Sequence, residues 1–278
     1  MSASSAAPNA TSAANPSPFP VRYEIRQLTS ADLEAATALL VHANMFHSPL
    51  WAVVYASRAT ELALAMTEPS KYLVQHQIDS GLSYGVVDTQ YQYKRAESAA
   101  TGGKLYWDFA DTKAAGATLL EQIDFPLVSI ALSYDQFHPL DMPRMMPFIQ
   151  LLPLFGTLYG ALAGGDKRNP ADWSATATGQ VLMRNGSATR VDYEGKGLMK
   201  GMAGWLMREA KLKGFRAIQI EGSHEAVSET WLHPPAPFTA ELVASFDTAT
   251  YEEDGPNGEK VHAFAPAKLL ITKIYVTL

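Results

Sequence analysis

Hydrophobic and polar positions alternate with two different periods in the first third of the chain. Residues 23–27 alternate as in a short strand, and Thr29, three residues before Asp32, predicts a capping box at the start of a helix. Apolar residues then recur at helical spacing from Trp51. Four further segments are predicted here: helices over 51–66 and, more weakly, 69–78, a strand within 82–95, and an exposed loop over 96–103.

Glycine and proline divide the second half of the chain more clearly. Between residues 114 and 142 the helical and strand periods overlap, and both remain open. The segments predicted after this are a helix at 145–163, a hairpin at 179–191 with a type I′ turn at Asn185-Gly186, a helix from Leu198 to Gly214, a strand at 215–222, a short helix at 223–232, and two long antiparallel strands at 241–253 and 268–278.

Residues 145–163 carry no formal charge, and the stretch is long enough to raise the question of a membrane span. Two prolines and two glycines interrupt it, at positions 147, 153, 156 and 160. No aromatic belt or basic cluster flanks it. We therefore predict a buried or pocket-lining helix rather than a membrane span.

Length and composition are those of a globular protein. The 278 residues are 47% hydrophobic, enough for a sizeable core. We expect one domain over residues 19–278, of mixed α/β (α+β) class, with an enlarged middle region at about 96–172. Residues 1–18 have no charged side chain and fit neither a secretory signal nor a transit peptide. They predict a disordered leader on a cytoplasmic protein.

Charge and cysteine content exclude several classes of function. The formal net charge of −6 and the lack of a dense Lys/Arg stripe argue against nucleic acid and anionic membranes as partners. The chain has no cysteine, which excludes disulfides, thiolate metal ligands and a cysteine nucleophile. Its seven histidines show no metal-binding spacing, so we expect no metal site. The expected partner is a small-molecule substrate, and the oligomeric state stays open.

The stretch RVDYEGKGLMKGM, residues 190–202, places three glycines around the start of a predicted helix. Glycine weakens a helix, so its use here indicates that something approaches the backbone. The spacing differs from the dinucleotide fingerprint, because Gly201 follows Gly197 by four positions, and the Gly-Lys-Ser/Thr of a P-loop is absent. A helix N-terminus that binds a pyrophosphate through its free N–H groups fits the remaining pattern.

With the following strand RAIQIEG, this stretch resembles motif A of the GNAT superfamily of acyl-CoA N-acyltransferases, whose signature is Arg/Gln-x-x-Gly-x-Gly/Ala. The signature falls on Glu194 to Met199, with Gly197 as its central glycine. The segments YEIRQLTSADLEAATALL and PLWAVVY also resemble the opening strand and paired helices of that fold. The resemblance implies a twisted, mixed, mostly antiparallel sheet with helices on both faces.

The resemblance implies acetyl-CoA or another acyl-CoA as the cofactor, with its carbonyl bonded to a backbone N–H near Arg190 or Val191. The residues expected to contact it are Arg190, Val191, Gly195, Lys196, Gly197, Leu198, Met199 and Lys200. Two positions depart from the family pattern. Glu194 stands where the family has Arg or Gln and would repel phosphate, and Met199 replaces a small residue and crowds the approach.

Candidate proton-transfer groups lie at and just beyond the end of the strand at 215–222. They are Glu221, His224 and Glu225. Each has a structural alternative: a salt-bridged strand end for Glu221, a helix N-terminal polar residue for His224, and a favourable first-turn charge for Glu225. The resemblance also implies a tyrosine after this strand that protonates the leaving thiolate, but no tyrosine occurs between Gly222 and Phe246.

The loop NMFHSPLW, between the first two predicted helices, is where the resemblance implies contact with the acceptor substrate. Phe46, His47, Trp51 and Tyr55 are the expected substrate residues. Core packing is the alternative role for Trp51 and Tyr55.

Three functions follow, in order of preference. The first is acyl-CoA-dependent acyl transfer to the amine or hydroxyl of a small, partly apolar metabolite, by direct attack on the thioester. The second is a GNAT-fold enzyme that has lost acyl-CoA and isomerises, dehydrates, decarboxylates or cyclises a metabolite. The third is a non-catalytic small-molecule-binding protein.

Overall fold

A computed structural model of the chain describes residues 8–255 and 257–278. The strands are β1 (Tyr23–Gln27), β2 (Tyr84–Asp88), β3 (Lys104–Leu105), β4 (Ile123–Asp124), β5 (Leu127–Asp135), β6 (Val181–Thr189), β7 (Ala217–Gly222), β8 (Thr239–Asp247), β9 (Glu253–Asp254), β10 (Lys260–Val261) and β11 (Leu270–Thr277). The α-helices are α1 (Leu33–His47), α2 (Trp51–Val54), α3 (Ala59–Asp79), α4 (Ala96–Thr101), α5 (Gly116–Glu121), α6 (Met142–Leu151), α7 (Pro153–Gly165), α8 (Pro170–Trp173), α9 (Leu198–Leu212) and α10 (Glu225–Leu232).

Seven strands form the main sheet in the order β1-β2-β5-β6-β7-β11-β8. Every neighbouring pair is antiparallel except β6 and β7, which are parallel. A chain that enters two adjacent parallel strands must cross over between them, and α9 makes that crossover. The predicted mixed, mostly antiparallel sheet is therefore confirmed.

Helices cover both faces of the sheet. On one face, α1 and α3 pack on apolar residues of β5 such as Ile130 and Leu132. On the other face, α9 packs on Ile218 and Ile220 of β7, with the fully buried Trp205 at its centre. Alternate residues of the central strands thus enter two separate cores, as the pleat of a strand requires.

The predicted hairpin at 179–191 is wrong, because these residues form the single strand β6. Gly186 has a φ of +108° but does not reverse the chain. Instead β6 carries one extra residue there: Ser133 pairs with Arg184 and Ala131 with Ser187, and the register shifts between them. An Asn-Gly pair suits a bulge as well as a turn, since both need a positive φ.

Two other local predictions differ from the structure. The helices expected over 51–66 and 69–78 are the short α2 and one long helix, α3, which runs through Pro69. Its buried residues on both sides of the proline, including Leu62 and Leu73, offset the missing backbone bond through packing. The loop expected over 96–103 contains α4, which ends at Gly102 with a φ of +82°.

The apolar stretch 145–163 lies in two helices, α6 and α7, which meet at Leu152. Among the described residues, no single helix has the length and apolarity of a membrane span, while α6 and α7 meet those criteria only as a pair that bends by 119°. Phe148, Leu152, Phe155, Leu158 and Tyr159 of this pair line the main cavity.

The leader expected at 1–18 is partly outside the described residues, since the description begins at residue 8. The remainder is not detached from the domain. Asn9 bridges to Arg26 of β1, and Asn15 is fully buried against α9, where its amide donates to the Trp205 carbonyl at 3.2 Å. Buried hydrogen bonds of this kind hold a segment whose composition alone suggests disorder.

Phe19, just after this segment, explains one of the three glycines in the 190–202 stretch. A methyl group on Gly201 would lie 2.4 Å from the Phe19 ring, whereas one on Gly204, a turn later, meets only Arg208 at 3.9 Å. Gly201 therefore makes room for an aromatic ring of the same chain.

Gly201→Ala and Gly204→Ala form a matched pair. Gly204→Ala is expected to stabilise the protein by up to about 1 kcal/mol, because alanine favours the helix. The free energy of unfolding of Gly201→Ala is expected to be lower than that of Gly204→Ala by about 1–3 kcal/mol, because the Phe19 ring must move. Denaturant unfolding measures both changes. Equal gains in the two variants would contradict the packing role of Gly201.

Candidate active site

The parallel strands β6 and β7 are in register only as far as Arg184 and Ile220. Beyond that pair they separate, and a cavity of about 620 Å³ opens between them. The cavity runs from the start of α9, along β6, to the helices α1, α3, α6 and α7. Its volume lies within the range of small-molecule sites.

The glycine loop forms one end of the cavity. Gly195 and Gly197 have φ values of +72° and +73°, and a Cβ added to either would meet no heavy atom within 4 Å. Leu198, Met199 and Lys200 follow in the first turn of α9, where backbone N–H groups have no partner inside the helix. Free N–H groups beside two glycines with open space at their Cβ positions fit a diphosphate.

Nine of the fifteen sequence-predicted site residues line the cavity. They are Gly195, Gly197, Leu198, Met199, Lys200, Glu221, His224, His47 and Trp51. Glu194, which departs from the family signature, lines the cavity as well. Arg190, Val191, Lys196, Glu225, Phe46 and Tyr55 do not line it.

Arg190 is buried in the body of the protein. Its backbone N–H donates to the Val128 carbonyl at 2.9 Å, so it is engaged with β5 and not free for a ligand. Its guanidinium donates to Asp192 at 2.8 Å and to the Phe125 carbonyl at 3.1 Å. The expectation that Arg190 binds the cofactor is therefore corrected: antiparallel pairing directs its N–H toward β5.

Lys196 turns back over the loop that carries it. Its ammonium donates to the Asp192 carbonyl at 3.1 Å and lies 4.1 Å from the centre of the Tyr193 ring. Tyr193 in turn donates to Asp88 at 2.8 Å. These contacts fix the short helical turn Val191–Tyr193 before the glycines. Lys200, in contrast, is exposed and lines the cavity.

Glu221 opens onto the other end of the cavity, at the point where β7 leaves β6. Burial among protein atoms raises the pKa of its carboxyl to about 7, and the positive charge of Lys273 and a hydrogen bond from Gln219 oppose the rise. Glu221 takes part in none of the salt bridges formed by the described residues, so the alternative of a salt-bridged strand end has no support there. A carboxyl of this pKa is suited to general-base work near neutral pH.

His224 and Glu225 begin α10. The His224 ring lines the cavity, but its Nδ1 accepts a hydrogen bond from the Ala226 N–H at 3.1 Å, which makes it the helix N-cap. Glu225 is exposed in the first turn. Both residues thus have the helix-terminal positions that the structural alternatives describe.

Tyr159 of α7 is a site residue that the sequence analysis missed. Its hydroxyl accepts a hydrogen bond from the Asn185 side chain at 3.1 Å, directly beyond the last paired residue of β6. Burial, with the nearby negative charge of Glu221, raises the pKa of Tyr159 well above its usual value, so the hydroxyl stays protonated. No local pattern marks this residue, since only the bend between α6 and α7 brings it to the strands.

Aromatic side chains extend the wall from Tyr159 toward α1 and α3. Phe155 lies 4.6 Å from Tyr159 and 5.0 Å from Phe148 between ring centres, and Trp51 stacks on Phe155 at 6.5 Å. Tyr55 lies behind Trp51, outside the cavity, in accordance with the core alternative.

Phe46, expected at the substrate, points elsewhere. Its ring contacts the backbone of Gly116, where an added Cβ would approach to 2.5 Å, and it lies 5.0 Å from the His42 ring. A helix presents residues 46 and 47 in directions about 100° apart, which separates Phe46 from the cavity-lining His47.

Arg184 is fully enclosed at the last paired position of β6. Its guanidinium donates to the Leu132 carbonyl and to the Ser187 hydroxyl, and it lies 5.8 Å from the Trp231 ring. Because these partners flank the bulge, Arg184 holds the strand in the bent course that opens the cavity. Burial without a carboxylate partner lowers its pKa to about 9.

No protein-family model and no curated protein matches the chain. Solved structures do. Arylalkylamine N-acetyltransferase 2 from Aedes aegypti matches with a TM-score of 0.55 and 12% identity over 92% of this chain and 98% of that one. The C-terminal condensation domain of Ebony, in complex with beta-alanyl-dopamine, matches with a TM-score of 0.54 and 12% identity, over 92% of this chain and 99% of that one. The Drosophila melanogaster polyamine N-acetyltransferase matches with a TM-score of 0.51 and 10% identity, over 92% of this chain and 100% of that one. The chain therefore has the fold of these N-acetyltransferase structures, at 10–12% sequence identity.

Proposed function

We propose that this protein transfers an acyl group from acyl-CoA to the amine of a small, partly apolar molecule. One observation carries the proposal: a single cavity joins the glycine-lined start of α9 to Glu221 and Tyr159 through the gap between β6 and β7. Similar folds bear names that refer to arylalkylamine and polyamine acetylation. The aromatic wall of Phe148, Phe155 and Trp51 suits the apolar part of such an amine.

The start of α9 and the outer half of β6 would hold acyl-CoA. First-turn N–H groups bind the diphosphate, with Lys200 adding positive charge at the mouth. Along β6 the N–H groups alternate in direction. Because the Arg190 N–H bonds β5, those of Thr189 and Ser187 face the gap, where they can bond amide and acyl carbonyls. When bound, acyl-CoA supplies the activated thioester.

Glu221 is the proposed general base. An amine acceptor arrives largely as an ammonium ion and must lose a proton before it attacks a carbonyl carbon. The Glu221 carboxylate, poised with a pKa of about 7, accepts that proton, and the positive ammonium favours the ionised carboxylate. The reaction needs no covalent enzyme intermediate, which agrees with a chain that has no cysteine.

Tyr159 is the proposed general acid. Its hydroxyl is protonated, lies where β6 separates from β7 and accepts a hydrogen bond from Asn185, which leaves its own proton free to be donated. It would protonate the leaving thiolate. The resemblance implies a tyrosine for this role between Gly222 and Phe246, where the sequence has none.

The alternative is a GNAT-fold enzyme that works without acyl-CoA. Its support is that Glu194 and Met199, the two departures from the signature, both line the cavity beside the glycines. A carboxylate there opposes diphosphate binding through charge repulsion. Binding of CoA separates the two proposals.

Gly197→Ala and Gly179→Ala test the diphosphate site as a matched pair. Both glycines have a positive φ and open space at Cβ, but only Gly197 lines the cavity. Similar losses of stability, about 1 kcal/mol, are expected from backbone strain. CoA affinity, measured by calorimetry, is expected to fall at least tenfold in Gly197→Ala alone. Failure of the wild type to bind millimolar CoA would favour the alternative enzyme.

Glu221→Gln is expected to lower kcat/KM for an amine acceptor by about 10²- to 10⁴-fold, because it removes the base. In the wild type, activity is expected to rise through pH 7, since the carboxyl is protonated below its pKa of about 7 and ionised above it. Glu229→Gln, an exposed change in α10, serves as the control. A Glu221→Gln variant that keeps the wild-type pH profile would remove Glu221 from the mechanism.

Tyr159→Phe keeps the aromatic packing and deletes only the hydroxyl. Loss of a general acid is expected to reduce kcat by about 10²-fold or more. CoA affinity should stay within a factor of three, because Tyr159 belongs to α7 and the proposed diphosphate site to the first turn of α9. Steady-state kinetics and calorimetry together check both expectations, and an unchanged kcat under conditions where chemistry limits the rate would contradict the role.

A further inference from the structure

A line of polar contacts leads from Glu221 to Gln219 and Arg168, neither of which lines the cavity. The Gln219 side-chain amide donates from Nε2 to the Glu221 carboxylate at 3.0 Å. The Arg168 guanidinium donates to the Gln219 Oε1 at 3.3 Å. Gln219 and Glu221 are two residues apart on β7, so their side chains lie on the same face of the sheet.

Arg168 is itself held from three directions. It donates to both oxygens of Asp166, at 3.0 and 2.8 Å. Its guanidinium lies 4.5 Å from the Trp173 ring and 4.9 Å from the Tyr275 ring. A bidentate and stacked guanidinium keeps one orientation, because its planar fork and its face are both engaged.

This arrangement leaves the Gln219 amide only one orientation. A guanidinium has donors and no acceptor, so the side of Gln219 that faces Arg168 must be its carbonyl oxygen. The NH₂ group must then face Glu221. A donor favours the ionised carboxylate over the protonated acid, and it holds the carboxyl in one rotamer.

We propose that Gln219, oriented by Arg168, is a positioning residue for Glu221: it aims the carboxylate into the cavity and stabilises its ionised form. The inference rests on the proposed role of Glu221 as the base. It also ties the base to the middle region of the chain, because Asp166 directly follows α7, the helix that carries Tyr159.

Other groups around Glu221 act on its charge as well. Lys273, its direct neighbour on β11, favours the ionised form, but the Lys273 ammonium lies 2.9 Å from Asp166 and is shared with it. Tyr134 of β5 and Tyr159 of α7 face Glu221 as neutral hydroxyls, and His224 lines the same cavity. Among the described residues, Gln219 is the side chain that donates a hydrogen bond to the carboxylate.

The test is a titration of the Glu221 carboxyl by carbon-13 NMR in uniformly glutamate-labelled protein, with the signal assigned through Glu221→Gln. Gln219→Leu removes the donor at similar volume. The pKa of Glu221 is expected to rise from about 7 to about 8 or above. Gln219→Glu, which places a second carboxyl there, is expected to raise it further, and Arg168→Met is expected to raise it because the amide can turn.

Gln77→Leu is the matched control, since Gln77 is a fully buried amide in α3 outside the cavity lining. It is expected to lower stability and to leave the Glu221 titration unchanged. An unchanged pKa in Gln219→Leu, or in Gln219→Glu if the leucine variant does not fold, would overturn the proposal.

The titration needs neither acyl-CoA nor an acceptor, so its outcome is separate from that of the proposed function. If acyl transfer is found, the acid limb of the kcat/KM profile in Gln219→Leu is expected to move up in pH with the carboxyl, about tenfold in rate at pH 6 for each pH unit moved. A merely structural role would lower the rate equally at every pH.

Discussion

The separation of β6 from β7 is the constraint on which the rest of the site depends. A parallel pair stays together while its ladder continues, and here the ladder stops at Arg184 and Ile220. The extra residue of β6 at Gly186 bends the strand, and Arg184 bonds the backbone and hydroxyl groups on both sides of the bend. Everything proposed to bind or react lies along the gap that follows.

The gap has two chemically different ends. At the α9 end the wall is backbone: two glycines with positive φ and a first helical turn whose N–H groups are free to bind an anion. At the other end the wall is made of side chains, with one carboxyl of raised pKa, one protonated tyrosine and a row of aromatic rings. These two ends suit an anionic acyl carrier at the start of α9 and an amine acceptor beside the carboxyl and the aromatic rings.

Part of the candidate site is predictable from the sequence, where a short segment of the chain carries the pattern. Gly195 and Gly197 follow from the strand, loop and helix pattern around residues 190–202, and Glu221 follows from the resemblance of this region to motif A. Tyr159 did not follow, because it reaches β6 only through the bend at Leu152, a tertiary event with no short-range mark. The prediction of a hairpin turn at Asn185-Gly186 is wrong for a related reason. A positive φ is compatible with a hairpin turn and with a bulge, and only the pairing of β6 with β5 distinguishes the two.

The claim at the centre of this account is that the gap between β6 and β7 receives acyl-CoA. Backbone amide chemical shifts followed during a titration with CoA test it most directly, because they report position as well as binding. The account predicts the largest changes at Gly195, Gly197, the first turn of α9 and the outer half of β6. Changes confined to other surfaces, or none at millimolar CoA in the folded protein, would contradict it.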